Sequence, residues 1–199
     1  MKLRIPFFLL IAGFLTATAQ ERLPREEALK YAFAVSLNLK EMLNTPIPTD
    51  PDVKRPVAMK QENHGGMILP ETKLSPQTFA NAGEEPKPVG QMWLVNLVPV
   101  SAGQPVPVSQ QRMVHVSALG QDVDAACCAL AVAKKDGGGL ELLVYGKDKT
   151  PLLHVPLKAI SLAQENPIEA SGEVNAEGAE VTLRFLGKYE ATFVVTEPR

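Results

Sequence analysis

From Gln91 onward the chain is a succession of short apolar, β-branched runs separated by turn residues, and the first of these, Gln91 to Val100, holds the only tryptophan. Successive strand side chains point to opposite faces, so Trp93, Val95 and Leu97 share one side and Met92, Leu94, Asn96 and Val98 the other. Both sides are mostly apolar. That predicts a central strand covered on both faces, with Pro99 ending its hydrogen-bond ladder because proline has no N–H to donate.

Further strands are expected at Arg112 to Leu119, with Val114, Val116 and Ala118 on the apolar face, and at Ala125 to Ala133, Leu140 to Tyr145 and Leu152 to Leu157. The C-terminal hairpin can be registered from its side chains. A three-residue turn at Leu186-Gly-Lys188 sets Phe185 opposite Tyr189, Leu183 opposite Ala191 and Val181 opposite Phe193 on one face. The other face then pairs Arg184 with Glu190 and Thr182 with Thr192, both favourable cross-strand combinations. A two-residue turn would suit Gly187 but would set Phe185 against Glu190, and a one-residue slip flips whole faces, so the pattern decides the register. With a further segment near Ile168 to Val174, the expected class is mainly β, an antiparallel β-sandwich or small barrel of about seven to eight strands.

The part before residue 91 reads differently. Arg25 to Leu43 is expected to be a helix, entered through Pro24 and carrying Leu29, Phe33 and Leu37 at i+4 spacing. Prolines 46, 48, 51 and 56 then force an extended strap. Val57 to Met59 and Met67 to Leu69 are expected to form a short hairpin across Asn63-His-Gly-Gly66, whose glycines permit positive φ. Ser75 should cap a short helix with Pro76 in its first turn. If Trp93 lies in the main core and Leu94 faces a second cover, the N-terminal helix is the candidate for that cover, through Leu29, Phe33 and Leu37. Residues 20–90 are then part of the same domain as the β core of 91–199.

Residues 1–19 read as a cleaved signal peptide: Lys2 and Arg4, an apolar run from Ile5 to Leu15, and the small-residue site Ala17-Thr-Ala19. The chain is therefore expected to be secreted or periplasmic, with no membrane span after the leader, since the apolar run is shorter than the roughly 20 residues a bilayer requires. The 20 basic and 22 acidic residues give a net charge of −2, which becomes −4 when Lys2 and Arg4 leave with the leader. No basic surplus or basic stripe marks a nucleic-acid surface.

Candidate chemistry is sparse. There is no GxSxG elbow and no HExxH, and Glu84-Glu85 and Asp122/Asp124 sit beside proline or in a turn, where carboxylates are ordinarily solvated. Lys134 to Gly139 lacks phosphate-loop spacing and is followed by an alternating strand pattern, so it reads as a hairpin connection. No enzyme activity and no cofactor are expected. Of the three histidines, two cysteines and six methionines, Met113 and His115 share one strand face and can chelate a soft metal such as copper, the alternative function. Met59, His64 and Met67 bracket the glycine loop, and His154, Cys127 and Cys128 are further candidates. The adjacent cysteines should point to opposite faces as small buried hydrophobes. The principal expectation is an exported binding or structural protein whose partner is a protein, a glycan or a small apolar ligand. A third possibility is assembly through the apolar stripe of the N-terminal helix.

Overall fold

The computed structural model describes residues 21–118, 120–135, 137–175 and 178–198. The expected leader, 1–19, lies outside them, and so does the side chain of Ala118. In chain order the elements are β1 (Glu21–Arg22), α1 (Arg25–Ser36), α2 (Leu39–Leu43), β2 (Val57–Gln61), β3 (His64–Pro70), α3 (Pro76–Ala80), β4 (Lys87–Val95), β5 (Val98–Ser101) and β6 (Gln104–Pro105). A 3-10 turn at Val108–Gln110 leads to β7 (Met113–Ala118), β8 (Gln121–Lys134), β9 (Leu140–Tyr145), β10 (Leu153–Pro156) and β11 (Lys158–Ala159). The chain ends with β12 (Ile168–Asn175), β13 (Gly178–Phe185) and β14 (Tyr189–Thr196).

These strands form two antiparallel sheets, so the fold is the sandwich and not the closed barrel. The larger runs β1-β2-β3-β4-β8-β9-β10, with β7 also on β8; the smaller runs β12-β13-β14-β5-β6, with β11 on β14. Strand β8 is the longest. On one edge its residues Ala125 to Val132 pair with β4, and on the other it pairs first with β7 and then with β9. The chain crosses between sheets at Asn96-Leu97, where Asn96 takes a positive φ of 55°.

The main core lies between the sheets. Met92, Leu94, Leu130 and Val144 meet Leu183, Phe185, Phe193 and Val195 there. Helix α3 closes one end through Phe79, which stacks on Tyr189 with ring centroids 4.8 Å apart and tilts against Phe185 at 5.8 Å. The capping of α3 starts as the sequence suggests, at Ser75, whose N–H is received by the Thr78 hydroxyl at 3.3 Å. The C-terminal hairpin has the expected register at each of its five expected pairs, and Thr182 and Thr192 hydroxyls meet at 2.9 Å across it.

A second apolar layer covers the outer face of the larger sheet. It joins Ala28, Ala32 and Val35 of α1 and Met42 of α2 to Ala58, Met67, Leu69, Trp93, Val114, Val116, Ala125 and Cys127. Three expectations are corrected here. Trp93 belongs to this outer layer and Leu94 to the main core, the reverse of the sequence reading. The helix does not meet the sheet through Phe33 and Leu37, which are 65% and 67% exposed. It meets it through alanines, because Trp93, Met67 and Leu69 already fill the space above the sheet and only small helix side chains let the two surfaces approach to close packing. Finally, the helix stops at Ser36, seven residues early, where the Ser36 hydroxyl donates to the Phe33 carbonyl at 2.7 Å; α2 resumes at Leu39.

Why Trp93 faces outward follows from its indole N–H. Buried donors require partners. Gln91, two residues earlier on the same face and wholly buried, accepts that N–H at 3.1 Å. The Gln91 amide in turn donates to the Met42 carbonyl at 2.6 Å and to the Thr49 hydroxyl at 2.7 Å. Residues 44–56 therefore lie over this polar cluster, with Ile47 against Ala129, Ala131 and Tyr145 and Val53 against the α1 layer.

Candidate functional site

The β2–β3 hairpin has a tight turn at Glu62-Asn63, where Glu62 takes a positive φ of 51°. Gly65 and Gly66 are not in the turn, as the sequence suggested, but in β3, where neither has a positive φ. Gly65 pairs with Lys60 on one side and Val95 on the other, and Val95 pairs with Ala125. This row of the outer face therefore contains two residues with little or no side chain, beside a row carrying Met67 and Trp93.

The result is a cleft of about 270 Å³ between α1 and the sheet. Tyr31 and Val35 of α1 and Leu23 form one wall; Ala58, Met67, Trp93, Val95, Val116, Val123 and Ala125 form the floor and the other wall. Apart from Tyr31, the polar residues of the lining, Lys60, Glu62, Asn63, His64 and Asn96, come from the hairpin end and the crossover. There the Asn96 amide donates to the Asn63 carbonyl at 2.8 Å, and His64 Nε2 lies 2.9 Å from a carboxylate oxygen of Glu197. These contacts link the hairpin to the crossover and to the C-terminal segment. Apolar walls with a few polar groups at one end are the usual makeup of a small-molecule site.

The sequence-predicted residues do not form one centre. Met113 and His115 lie on the exposed face of β7, with His115 Nδ1 3.0 Å from Asp124 Oδ1. His64 is at the cleft mouth, and His154 Nδ1 lies 3.2 Å from Glu141. Among the described residues no three or more His, Cys, Asp or Glu side chains group as a metal site. Cys127 and Cys128 are free thiols on opposite faces of β8, one in each apolar layer. Burial pushes the Cys127 thiol up to about 12, against the opposing pull of the nearby Arg112 guanidinium, and raises Cys128 as well. Neither is a ready thiolate.

Sequence reasoning missed the cleft because its two signals point elsewhere when read locally. A Gly-Gly pair after Asn-His looks like a turn, and Tyr31 and Val35 fall outside the Leu29/Phe33/Leu37 stripe. The signal that could have found it is a glycine inside an apolar strand, which marks close approach or open space: Gly65, two residues before Met67, lies on the same face of β3.

The arrangement is thus an antiparallel β-sandwich carrying an apolar cleft beneath an outer helix. No protein-family model, no curated protein and no solved structure matches the chain.

Proposed function

We propose that the chain is an exported, non-enzymatic binding protein that holds a small apolar ligand in the cleft between α1 and the larger sheet. Export rests on the leader pattern of residues 1–19. The observation that carries the binding reading is Gly65. A Cβ there would meet only the Met59 carbonyl oxygen, at 3.6 Å, an ordinary van der Waals contact. A β-branched residue would suit the strand and gain packing, since glycine in a strand interior weakens it. Leaving the position without a side chain forgoes stability and keeps the cleft open. Of the three partner classes, a glycan would require polar groups along the walls, and a protein a broader surface; the cleft suits a compact apolar molecule with one polar end.

The test is titration of the protein with N-phenyl-1-naphthylamine, a neutral apolar fluorophore, beside the variant Gly65→Val. The parent should show saturable binding with quenching of Trp93, the chain's single tryptophan. The variant should keep its thermal stability and lose at least about tenfold in affinity, equivalent to roughly 1.4 kcal/mol. Equal binding by both proteins would remove the cleft as the site.

A further inference from the structure

We infer that the exposed face of the β7–β8 ribbon is a binding site for a soft cation such as Cu(I), ligated by the Met113 thioether and His115 Nε2, with Asp124 as a positioning residue.

The alternation of β7 separates two jobs. Val114 and Val116 are buried in the outer apolar layer, so Met113, His115 and Ser117 point the other way, and all three are exposed. Met113 is 44% exposed, and a thioether in water contributes little packing. Directly across the ribbon from His115 stands Asp124. Its Oδ1 is 3.0 Å from His115 Nδ1. In the neutral tautomer that donates Nδ1–H to this carboxylate, Nε2 carries the lone pair. This carboxylate–imidazole pairing is the one that orients metal-binding histidines and raises their basicity.

Residues two apart on a strand are separated by roughly 6.6 Å along it, so an imidazole and a flexible thioether on the same face can converge on one ion. The oxygen donors nearby are engaged: Asp124 with the imidazole, and Asp122 with the Ser117 hydroxyl, which donates to it at 2.6 Å. What the face offers is one nitrogen and one sulfur. A hard cation such as Ca²⁺ or Mg²⁺ requires several oxygens, whereas thioether and imidazole select Cu(I), which accepts low coordination numbers. The other histidines lack this set. His64 Nε2 is taken by Glu197, and His154 lies between Leu153 and Val155 with no thioether two residues away.

The experiment is anaerobic competition for Cu(I) supplied as its coloured bicinchoninate complex, followed in parallel by the methyl resonance of Met113. The parent should withdraw one Cu(I) per chain and shift that resonance. His115→Ala should abolish withdrawal, Met113→Leu should weaken it by at least about tenfold, and Asp124→Asn by about 10–100-fold. His154→Ala should leave it unchanged, and Zn(II) should not displace the bound ion. All these side chains are exposed, so loss of fold does not confuse the result. The proposal is overturned if the parent withdraws no Cu(I), if His115→Ala and Met113→Leu bind as the parent does, or if His154→Ala loses binding.

Discussion

Both carboxylate oxygens of Glu71 receive the backbone N–H of Asp50, at 2.8 and 3.0 Å. Around this contact the Asp52 N–H donates to the Pro70 carbonyl at 2.7 Å and the Thr72 N–H to the Asp50 carbonyl at 2.8 Å, so the end of β3 holds residues 50–52 in place. Burial pushes Glu71 up to about 7, the Asp50 N–H pulls it down, and the Asp50 charge raises it further. A folded-state value above the ordinary 4.5 means that folding favours the protonated acid. Its contribution is full below about pH 4.5 and is lost as pH rises toward 7. Stability measured by urea unfolding should fall by about 2 kcal/mol between pH 5 and pH 8, and Glu71→Gln, which keeps an acceptor for the Asp50 N–H, should flatten that fall. An equal slope in both proteins would contradict the assignment.

The Gln91 side chain satisfies three groups that have no solvent to turn to: the Trp93 indole, the Met42 carbonyl and the Thr49 hydroxyl. Gln91→Leu keeps the volume and strips the partners. Orphaned buried polar groups cost about 1–3 kcal/mol each, so the variant should lose roughly 2–4 kcal/mol in denaturant unfolding. Its tryptophan emission should also change, since the indole loses its acceptor. Unaltered stability would mean that the cluster rearranges freely.

Helix α1 presents alanines inward, and the energetic consequence is opposite to what its large side chains suggest. Ala32→Leu, at a position with no exposed surface, should cost about 1–3 kcal/mol by overpacking. Phe33→Ser should change stability by no more than about 0.5 kcal/mol, because Phe33 is 65% exposed. Thermal melts of the two variants distinguish the observed helix face from the one its leucine spacing implies.

The difference between those two faces shows what was legible in the residues. The mainly β, antiparallel class is readable, because alternating strands and turn residues are local signals; the choice of sandwich over barrel is not, since it depends on which strands pair. So was the register of β13 and β14, because apolar and polar pairs agree on only one alignment. The helix face was not, since an alanine stripe carries no hydrophobic weight until the sheet surface opposite is known. The side Trp93 faces is not legible for a related reason: its orientation depends on Gln91 meeting Thr49 and Met42, 42 and 49 residues away in sequence. The cleft required both facts at once, and the glycines that open it resemble a turn when only their neighbours are considered.

The central claim is that a small apolar molecule enters the cleft over Gly65. Methyl-labelled methionine gives the most direct view, because Met67 lines the cleft, Met92 lies in the core between the sheets and Met113 is on the far side of the β7–β8 ribbon. On titration with N-phenyl-1-naphthylamine, the Met67 methyl should shift progressively to saturation while Met92 and Met113 hold their positions, and Gly65→Val should abolish the Met67 shift. A saturating shift at Met113 with Met67 unmoved, or a Met67 shift that survives Gly65→Val, would contradict the account.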